Sequence, residues 1–264
     1  MFFEPIDFAA MYKAHKAATD FKGKSADDWN AKAADMAPRM INSPYVDAFI
    51  SRMALEADDT VLDIGCGPGT LALALAKKVK KVIAVDYAEQ MLEELRAVAA
   101  REGITNIETR RLSWEDDWSA LPKADITLAS RSLEVGDIEA ALSKMTEHAR
   151  RACYLTYKAG GSYVDMEILD FIGRTITPKP DFWYIPLILY QKGYLPHVDY
   201  IETPRGSIQS TDVDSFVGSL RWSLGSLDDD EEQKARLYYD KIIARESRHP
   251  KPFNWAFVGW QTAE

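Results

Sequence analysis

The sequence has few cysteines, and their arrangement suggests neither a metal site nor a disulfide. Cys66 and Cys153 are the two cysteines among 264 residues, and both stand in apolar segments far apart in the chain. No Cys-x-x-Cys pair or Cys/His ligand spacing occurs, so we expect no metal site. Reduced thiols are typical of a cytoplasmic protein, which is the localisation we expect.

Long apolar runs and an excess of positive charge are missing as well. No run approaches the ~18 residues that a membrane-spanning helix requires, and the N-terminal MFFEPIDFAA lacks the basic and apolar regions of a signal peptide. The formal net charge is -9, whereas sequence-independent nucleic-acid binding needs a basic surface. We therefore expect a small-molecule partner, no nucleic acid and no membrane, and the oligomeric state stays open.

Strand-like and helix-like segments alternate between residues 60 and 158. Short apolar runs such as TVLDI, KVIAVD and ADITLAS alternate with amphipathic runs such as AEQMLEELRAVAARE, which is typical of a parallel sheet covered by helices. Three helices are predicted before the sheet: 6–19, an unbroken helix over 25–40 with Ser25 as its cap, and a third that Ser43 caps. Residues after 158 read as further helices and two last strands of the same sheet.

The segment VLDIGCGPGT, residues 61–70, joins a predicted strand to a predicted helix. Ligands of open α/β sheets bind at this edge of the sheet. We expect Gly65 and Gly67 to let a ligand lie against the backbone, and Gly69 to open the helix. The dinucleotide fingerprint G-x-G-x-x-G requires a glycine where this chain has Thr70, and no Gly-Lys-Ser/Thr of a P-loop follows.

Asp86 ends the second predicted strand, about twenty residues after the first glycine. A carboxylate at this place can accept hydrogen bonds from both hydroxyls of a ribose. Glycine loops with such a carboxylate occur in proteins that bind nicotinamide cofactors and in proteins that bind an adenosine linked to a sulfonium group. The pair with this glycine spacing favours a nucleoside without a pyrophosphate.

These motifs resemble those of the class I S-adenosylmethionine-dependent methyltransferases. VLDIGCGPGT is similar to their first motif, VIAVDYAEQML to their second and ADITLASRSLEV to their strand-four motif, and the similarity spans residues 43–158. The resemblance implies a Rossmann-like α/β fold: a seven-stranded, mostly parallel sheet with helices on both faces. In this single domain, 1–42 form an N-terminal helical lid, 43–158 the cofactor-binding core, and 159–264 the remaining strands with a helical insertion that covers the substrate.

The resemblance also implies that S-adenosylmethionine is the cofactor. Asp86 then binds the ribose, and Met91 packs on the adenine. The full set of expected cofactor-binding residues is Asp63, Gly65, Cys66, Gly67, Gly69, Asp86, Tyr87, Met91, Ser113, Trp114, Glu115, Arg131 and, from the lid, Trp29.

The chain departs from the family pattern at two places. Ser113 and Trp114 stand where many relatives have an aspartate and a small residue, so the hydroxyl is left to bond the base and Trp114 either covers the adenine or fills the core. The Asp/Asn-Pro-Pro-Tyr/Phe motif of enzymes that methylate amide or adenine nitrogens is absent. Arg131 stands at that position instead. We expect it to bind the carboxylate of the cofactor or an anionic group of the substrate, or to form a salt bridge with Glu134 or another local acid.

Methyl transfer is a direct displacement, and it needs a general base only when the acceptor atom carries a proton. The candidates for a catalytic role near the expected mouth of the site are Glu134, Tyr157, His15 and Arg131. Each of them also has a plausible structural role, so the catalytic residues remain unknown. Aromatic side chains are expected to line the acceptor site: Tyr12, Trp29, Phe182, Trp183, Tyr184, Tyr190 and Tyr194.

The leading interpretation is therefore a methyltransferase that acts on a small molecule. A nicotinamide-dependent oxidoreductase would also use a glycine loop and a ribose carboxylate, but this interpretation fails at Thr70. Two further functions stay open: a protein that binds S-adenosylmethionine or S-adenosylhomocysteine without turnover, and a methyltransferase that acts on protein or RNA.

Overall fold

A seven-stranded sheet organises the chain, of which the computed structural model describes residues 6–203, 212–244 and 253–262. The strands are, in chain order, β1 Thr60–Ile64, β2 Lys81–Asp86, β3 Ile107–Arg111, β4 Ala124–Ser130, β5 Ala149–Lys158, β6 His197–Thr203 and β7 Phe253–Gln261. They lie side by side in the order β3-β2-β1-β4-β5-β7-β6. Every neighbouring pair is parallel except the two that β7 makes, so the predicted Rossmann-like, mostly parallel sheet is confirmed.

Helices cover both faces of this sheet. The described helices are α1 Phe8–Ala18, α2 Ala26–Asn30, α3 Ala33–Ile41, α4 Tyr45–Ile50, α5 Ala72–Ala76, α6 Glu89–Arg101, α7 Ile138–His148, α8 Met166–Ile172, α9 Tyr184–Gln191, α10 Val213–Leu224 and α11 Asp229–Tyr238, which continues into a π-helical turn, Tyr239–Ile243. Successive strand residues face opposite cores: Val61 packs in the core of α4, α5 and α6, and Leu62 in that of α1, α7 and α9. Strands buried on both faces explain the continuous apolar runs of the sequence.

The helix predicted over residues 25–40 is broken in two. Ser25 and Asp28 form the predicted capping box, with Ser25 N donating to Asp28 Oδ2 over 2.8 Å. The helix then ends at Asn30, whose side chain accepts a hydrogen bond from Gln90 N at 3.0 Å and so fixes α2 to the start of α6. This contact lies 60 residues away along the chain, which is why the local pattern predicted one helix. Ser43 caps α4 as predicted, because its hydroxyl accepts a hydrogen bond from Tyr45 N at 3.3 Å and Pro44, with a φ of -55° and a ψ of -20°, already has the helical conformation.

The helical segments after β5 come in two pieces rather than one. α8 and α9 lie between β5 and β6, whereas α10 and α11 lie between β6 and β7. α8, α10 and α11 share a small core of their own around Leu169, Phe216 and Tyr238. α9 instead packs with α1 and α7 on one face of the sheet.

Across residues 6–203, 212–244 and 253–262, every helix is too short or too polar to span a lipid bilayer.

Arg151 fixes the start of β5 to the segment that precedes β1. Its Nη2 donates to both carboxylate oxygens of Asp59, each at 2.6 Å. Asp59 is 4% exposed and also accepts a hydrogen bond from Glu56 N at 2.7 Å. Hydrogen bonds to a charged group contribute about 1.5–3 kcal/mol each to stability.

We predict that Asp59→Ala lowers the free energy of unfolding by about 2 kcal/mol, because it leaves the guanidinium and a backbone amide without their acceptor. Urea unfolding measures the change. Glu56→Ala is the matched control, since the Glu56 carboxylate lies 3.6 Å from the same guanidinium but is 72% exposed. The control should change the free energy by less than about 0.5 kcal/mol, and equal losses in the two variants would contradict this account.

Candidate active site

The glycine loop turns directly beneath the end of β2. Gly65 N and Cys66 N both donate to Val85 O, at 2.8 and 3.0 Å. Gly65, Gly67 and Gly69 have φ angles of 66°, 54° and 90°, a left-handed conformation that glycine adopts without strain. The spacing of the three glycines therefore follows from the path of the backbone.

The three glycines are needed for different reasons. A Cβ on Gly65 would lie 2.3 Å from the Cβ of Ser132, and one on Gly69 would lie 2.4 Å from Leu95 Cδ1. These two positions thus allow close packing within the protein, and α5 begins at Ala72 rather than at Gly69. A Cβ on Gly67 would have one neighbouring atom of the described residues within 4 Å, Met40 Cε at 3.7 Å. Gly67 is therefore the glycine that leaves room for a ligand.

Two carboxylates lie beside this loop. Asp86 Oδ2 accepts a hydrogen bond from Gly67 N at 2.8 Å and its Oδ1 accepts one from Ala88 N at 2.9 Å. Burial raises the pKa of Asp86 above its usual value. Burial and the nearby Asp86 raise the pKa of Asp63 to about 8, and Asp63 Oδ2 is buried without a hydrogen-bond partner among the described residues.

The electrostatics of this cleft favour a cationic ligand with hydroxyl groups. No lysine or arginine of the described segments lies within 4.0 Å of the Asp63 or Asp86 carboxylate. A pyrophosphate beside Asp86 would add negative charge next to a buried carboxylate, at an electrostatic cost. Among the described residues, no group of His, Cys, Asp or Glu side chains is arranged to hold a metal ion.

The N-terminal helices cover the loop after β2. Trp29 of α2 packs with Ala88 and Met91, and Tyr87 OH donates to Lys24 O at 2.9 Å. Burial raises the pKa of Tyr87 to about 12. The predicted residues Trp29, Tyr87 and Met91 are therefore brought together, and Trp222 of α10 adds an edge-to-face contact with Trp29 at 5.5 Å between ring centroids.

In the segment after β3, polar groups form hydrogen bonds with neighbouring residues of the same turn. The Ser113 hydroxyl accepts a hydrogen bond from Glu115 N at 3.3 Å, and Glu115 is exposed. The half-buried Trp114 donates its Nε1 to Ser132 O at 2.9 Å and lies against Trp118, with 5.2 Å between ring centroids. Trp114 thus packs on the core beside the loop that follows β4, which is the second of its two predicted roles.

Cys66 is buried, and its Sγ donates to Gly67 O at 3.5 Å. Burial raises the pKa of this thiol well above its usual value. The thiol is therefore protonated at neutral pH, and it acts as a small apolar side chain at the loop.

Arg131 directly follows β4 and has an unusual backbone. Its φ of 59° makes it the one non-glycine residue with a positive φ in the described part of the chain. The guanidinium lies over the ring of Tyr45 at 4.3 Å and near that of Trp255 at 5.8 Å. The salt bridge to Glu134 that was one prediction for Arg131 is wrong, because Glu134 is paired with Lys179.

Glu134 is held in an ion pair. Its Oε1 lies 2.5 Å from Lys179 Nζ and accepts a hydrogen bond from Tyr163 OH at 3.0 Å. Burial alone would raise the pKa of Glu134, but the charges of Lys179 and Lys16 and these hydrogen bonds outweigh it and lower the pKa. Glu134 is therefore ionised at neutral pH and is a weak base.

Tyr157 and His15 also have structural partners. Tyr157 OH lies 3.4 Å from Tyr12 OH, and burial raises the pKa of Tyr157 far above its usual value. His15 binds Tyr184 OH through Nδ1, at 3.3 Å, and Pro178 O through Nε2, at 3.1 Å. The structure thus places Tyr157 as a neutral phenol and His15 as a link between α1 and the segment before α9.

A cavity of about 10 Å³ opens beside Arg131 at the carboxyl ends of β4 and β5. Its lining residues are Arg131, Leu133, Glu134, Thr156, Tyr157, Lys158, Gly161, Tyr163, Lys179, Pro180 and Trp255. The aromatic residues predicted to line the acceptor site, Tyr12, Trp29, Phe182, Trp183, Tyr184, Tyr190 and Tyr194, do not line this cavity. Tyr184, for example, is 4% exposed and packs in the core beneath α9.

Sequence reasoning missed Tyr163, Lys179 and Trp255. Tyr163 lies in the connection between β5 and α8, Lys179 in that between α8 and α9, and Trp255 in the last strand. No local pattern marks them, because they reach the cavity only when these connections fold back over the sheet edge and β7 inserts beside β5.

Comparison with known proteins agrees with this geometry. Residues 61–152 match a family model described as a methyltransferase domain. A protein of Haemophilus influenzae named "Uncharacterized protein" is 32% identical over 262 residues, which cover 97% of this chain and 96% of that protein. This full-length similarity places the two chains in one family.

Two further proteins are similar in part or in fold. The 23S rRNA (uracil(1939)-C(5))-methyltransferase of Aliivibrio fischeri is 32% identical over 81 residues, 31% of this chain and 18% of that protein. Magnesium protoporphyrin IX methyltransferase from Synechocystis, solved with bound S-adenosylhomocysteine, has a TM-score of 0.57 at 15% identity, over 90% of this chain and 97% of that one. Residues 61–152 therefore form a methyltransferase domain, the fold is that of the S-adenosylmethionine-dependent methyltransferases, and the chain belongs to one full-length family with the Haemophilus influenzae protein.

Proposed function

We propose that this protein transfers the methyl group of S-adenosylmethionine to a small-molecule acceptor by direct displacement. The observation that carries the proposal is the position of two different sites at one edge of the sheet. The buried acidic cleft of Asp63 and Asp86 lies at the ends of β1 and β2, and the cavity beside Arg131 lies at the ends of β4 and β5. A donor and an acceptor held there would be neighbours, as displacement requires.

The residues of the acidic cleft fit the cofactor. The unpartnered Asp63 Oδ2 suits a cationic group, and the Asp86 carboxylate suits the ribose hydroxyls. Gly67 leaves room at the backbone between them. We assign the adenine to the neighbourhood of Trp29, Tyr87 and Met91, flanked by the Ser113–Glu115 segment.

The bound cofactor supplies a methyl group already activated by the positive charge of its sulfonium. The protein's part is then to orient the acceptor and to exclude water. Neither Tyr157 nor Glu134 is suited to remove a proton, because the pKa of Tyr157 is raised and that of Glu134 is lowered. We therefore propose an acceptor atom that is nucleophilic without a strong base from these residues.

Two other functions compete with this proposal. The partial similarity to an rRNA methyltransferase favours an RNA acceptor, and a protein that binds the cofactor without turnover would share the same cleft. Against RNA stands the net charge of -9, which opposes binding to a polyanion.

Incubation with methyl-labelled S-adenosylmethionine and separate pools of metabolites, total RNA and proteins tests the function. We expect label in a small-molecule product, because the acceptor cavity is narrow and the chain is acidic. Label confined to RNA or protein would contradict the proposal, and release of no product from any pool would favour a binding protein.

We predict that Asp86→Asn weakens S-adenosylhomocysteine binding about 10- to 100-fold, the equivalent of one or two hydrogen bonds to a charged group. The substitution removes one acceptor oxygen, so one of the two backbone amides that Asp86 binds, Gly67 N or Ala88 N, loses its acceptor. Calorimetric titration measures the dissociation constant.

Asp125→Asn is the matched control for Asp86→Asn. Asp125 Oδ2 likewise accepts a backbone hydrogen bond, from Thr60 N at 2.7 Å, but at the opposite edge of the sheet. The control should bind with wild-type affinity. An Asp86→Asn variant that binds as tightly as the wild type would contradict the ribose assignment.

Cofactor binding should also depend on pH through Asp63. Because its pKa in the free protein is about 8, this carboxyl carries a proton at neutral pH, and the α-ammonium group, which is the cation of S-adenosylhomocysteine, favours its ionised form. Binding then releases a proton, so affinity for S-adenosylhomocysteine rises from about pH 6 to pH 8, by up to tenfold per unit. The same raised pKa makes the contribution of Asp63 to the stability of the free protein fall as pH rises from the unfolded pKa toward 8.

Titration in buffers of different ionisation enthalpy counts the released protons. Asp63→Asn removes the titrating group. Near pH 8 the variant should therefore bind S-adenosylhomocysteine more weakly than the wild type does, and its affinity should vary less with pH. A wild-type dissociation constant that does not change over this range, or an Asn variant with the full pH dependence, would contradict the assignment of Asp63.

A further inference from the structure

The guanidinium of Arg131 is positioned for an anion that the described residues do not supply. It lies over the Tyr45 ring at 4.3 Å and lines the cavity at the ends of β4 and β5. No carboxylate of the described residues lies within 4.0 Å of it. Its only described hydrogen bond is made by the backbone, from Arg131 N to Thr156 O at 3.4 Å.

The backbone of Arg131 indicates that this position of the side chain is enforced. A non-glycine residue with a φ of 59° is strained by about 1–3 kcal/mol, and such strain concentrates at functional sites. The adjacent Ser132 is anchored, with its hydroxyl donating to Ile64 O at 2.6 Å. The fold thus holds the arginine at the junction of the cofactor loop and the cavity.

Further positive charge lies behind the opposite wall of the cavity. Glu134 is in contact with Lys179 and lies 3.9 Å from Lys16 Nζ. Lys16 Nζ is buried and has no hydrogen-bond partner among the described residues. Lys16 and Lys179 therefore share the one carboxylate of Glu134. With Arg131 beside them, this leaves a local excess of positive charge in a chain whose net charge is -9.

Apart from Thr156 and Lys158, the remaining side chains of the lining are apolar or aromatic. Leu133 and Pro180 contribute aliphatic surface, and Tyr157, Tyr163 and Trp255 contribute rings. Such a lining suits a flat or apolar body, whereas the arginine suits a planar oxyanion that accepts two parallel hydrogen bonds. We propose that the methyl acceptor carries an oxyanion, a carboxylate or a phosphate, on an apolar or aromatic body, and that Arg131 binds this oxyanion.

This inference rests on the proposed function and adds the chemical class of the acceptor. A role for Arg131 in holding the carboxylate of the cofactor is less favoured by the arrangement of the sheet. The cavity belongs to the β4, β5 and β7 half of the sheet edge, and no residue of the 61–70 loop lines it. Asp63 and Asp86 belong to the β1 and β2 half.

The acceptor must displace part of the cavity's cover. The present volume of about 10 Å³ matches about one water molecule. The cover is the Lys179–Pro180 segment, which is held by a 2.8 Å hydrogen bond from Lys179 N to Gly161 O. An acceptor of the proposed class therefore enters as this segment moves outward from the sheet edge.

The test uses the full-length protein saturated with S-adenosylhomocysteine and three probes: benzoate, phenyl phosphate and the neutral isostere benzamide. Binding is measured by calorimetry or by ligand-observed NMR. We expect benzoate or phenyl phosphate to bind at least tenfold more tightly than benzamide, and the preference between the two anions distinguishes a carboxylate from a phosphate acceptor. Arg131→Met should remove the advantage of the anion, and Arg131→Lys should keep part of it.

Arg150→Met is the matched control, because Arg150 is an arginine of β5 at the opposite edge of the sheet, with a side chain that is 55% exposed. It should bind every probe as the wild type does. Thermal unfolding of the Arg131 variants checks that they are folded. Lys16→Met is a second, independent variant: it should also weaken anion binding, and it leaves the strained backbone at Arg131 unchanged.

The outcomes separate this inference from the proposed function. Failure of the wild type to bind S-adenosylhomocysteine refutes the function itself. Normal binding of S-adenosylhomocysteine together with no anion binding, or with equal affinity for benzamide and the anions, refutes the inference alone. If Arg131→Met weakens S-adenosylhomocysteine but not 5′-methylthioadenosine, which lacks the amino acid, Arg131 binds the cofactor's carboxylate and the inference is also refuted.

Discussion

The hydrogen bond from Gly67 N to the Asp86 carboxylate connects the two strand ends on which the cofactor cleft depends. Asp86 closes β2, and Gly67 is the one loop glycine whose missing side chain leaves open room. Because the loop also donates two backbone hydrogen bonds to Val85 O, its path is set by β2 rather than by the ligand. The cleft is thus preorganised, and its second acid, Asp63, is buried with a raised pKa and with one oxygen that has no hydrogen-bond partner in the described part of the chain.

The order of the strands separates this acidic cleft from a cavity of opposite character. β1 and β2 carry Asp63 and Asp86, whereas β4 and β5 end at Arg131 and the cavity beside it. Ser132 connects the two, since it packs on Gly65 and donates to Ile64 O. A cationic donor and an anionic acceptor would therefore each meet the opposite charge at adjacent strands, which is the arrangement we propose for methyl transfer.

The elements with a strong hydrophobic pattern could be predicted from the sequence, and contacts distant along the chain could not. The predicted runs ADITLAS and KVIAVD coincide with β4 and β2, because strands buried on both faces must be apolar throughout. The break after Asn30 depends on Gln90, and the partner of Glu134 is Lys179, 45 residues away. Within the site, the glycine spacing revealed the loop, but only the packing of Ser132 and Leu95 shows which glycine faces the cleft.

The most direct test of this account is a calorimetric titration of the wild-type protein with S-adenosylhomocysteine and, separately, with NAD. The account predicts saturable binding of one S-adenosylhomocysteine per chain and no measurable binding of NAD, because Thr70 stands where the dinucleotide fingerprint requires a glycine. Binding of NAD, or absence of binding of S-adenosylhomocysteine, would contradict the account.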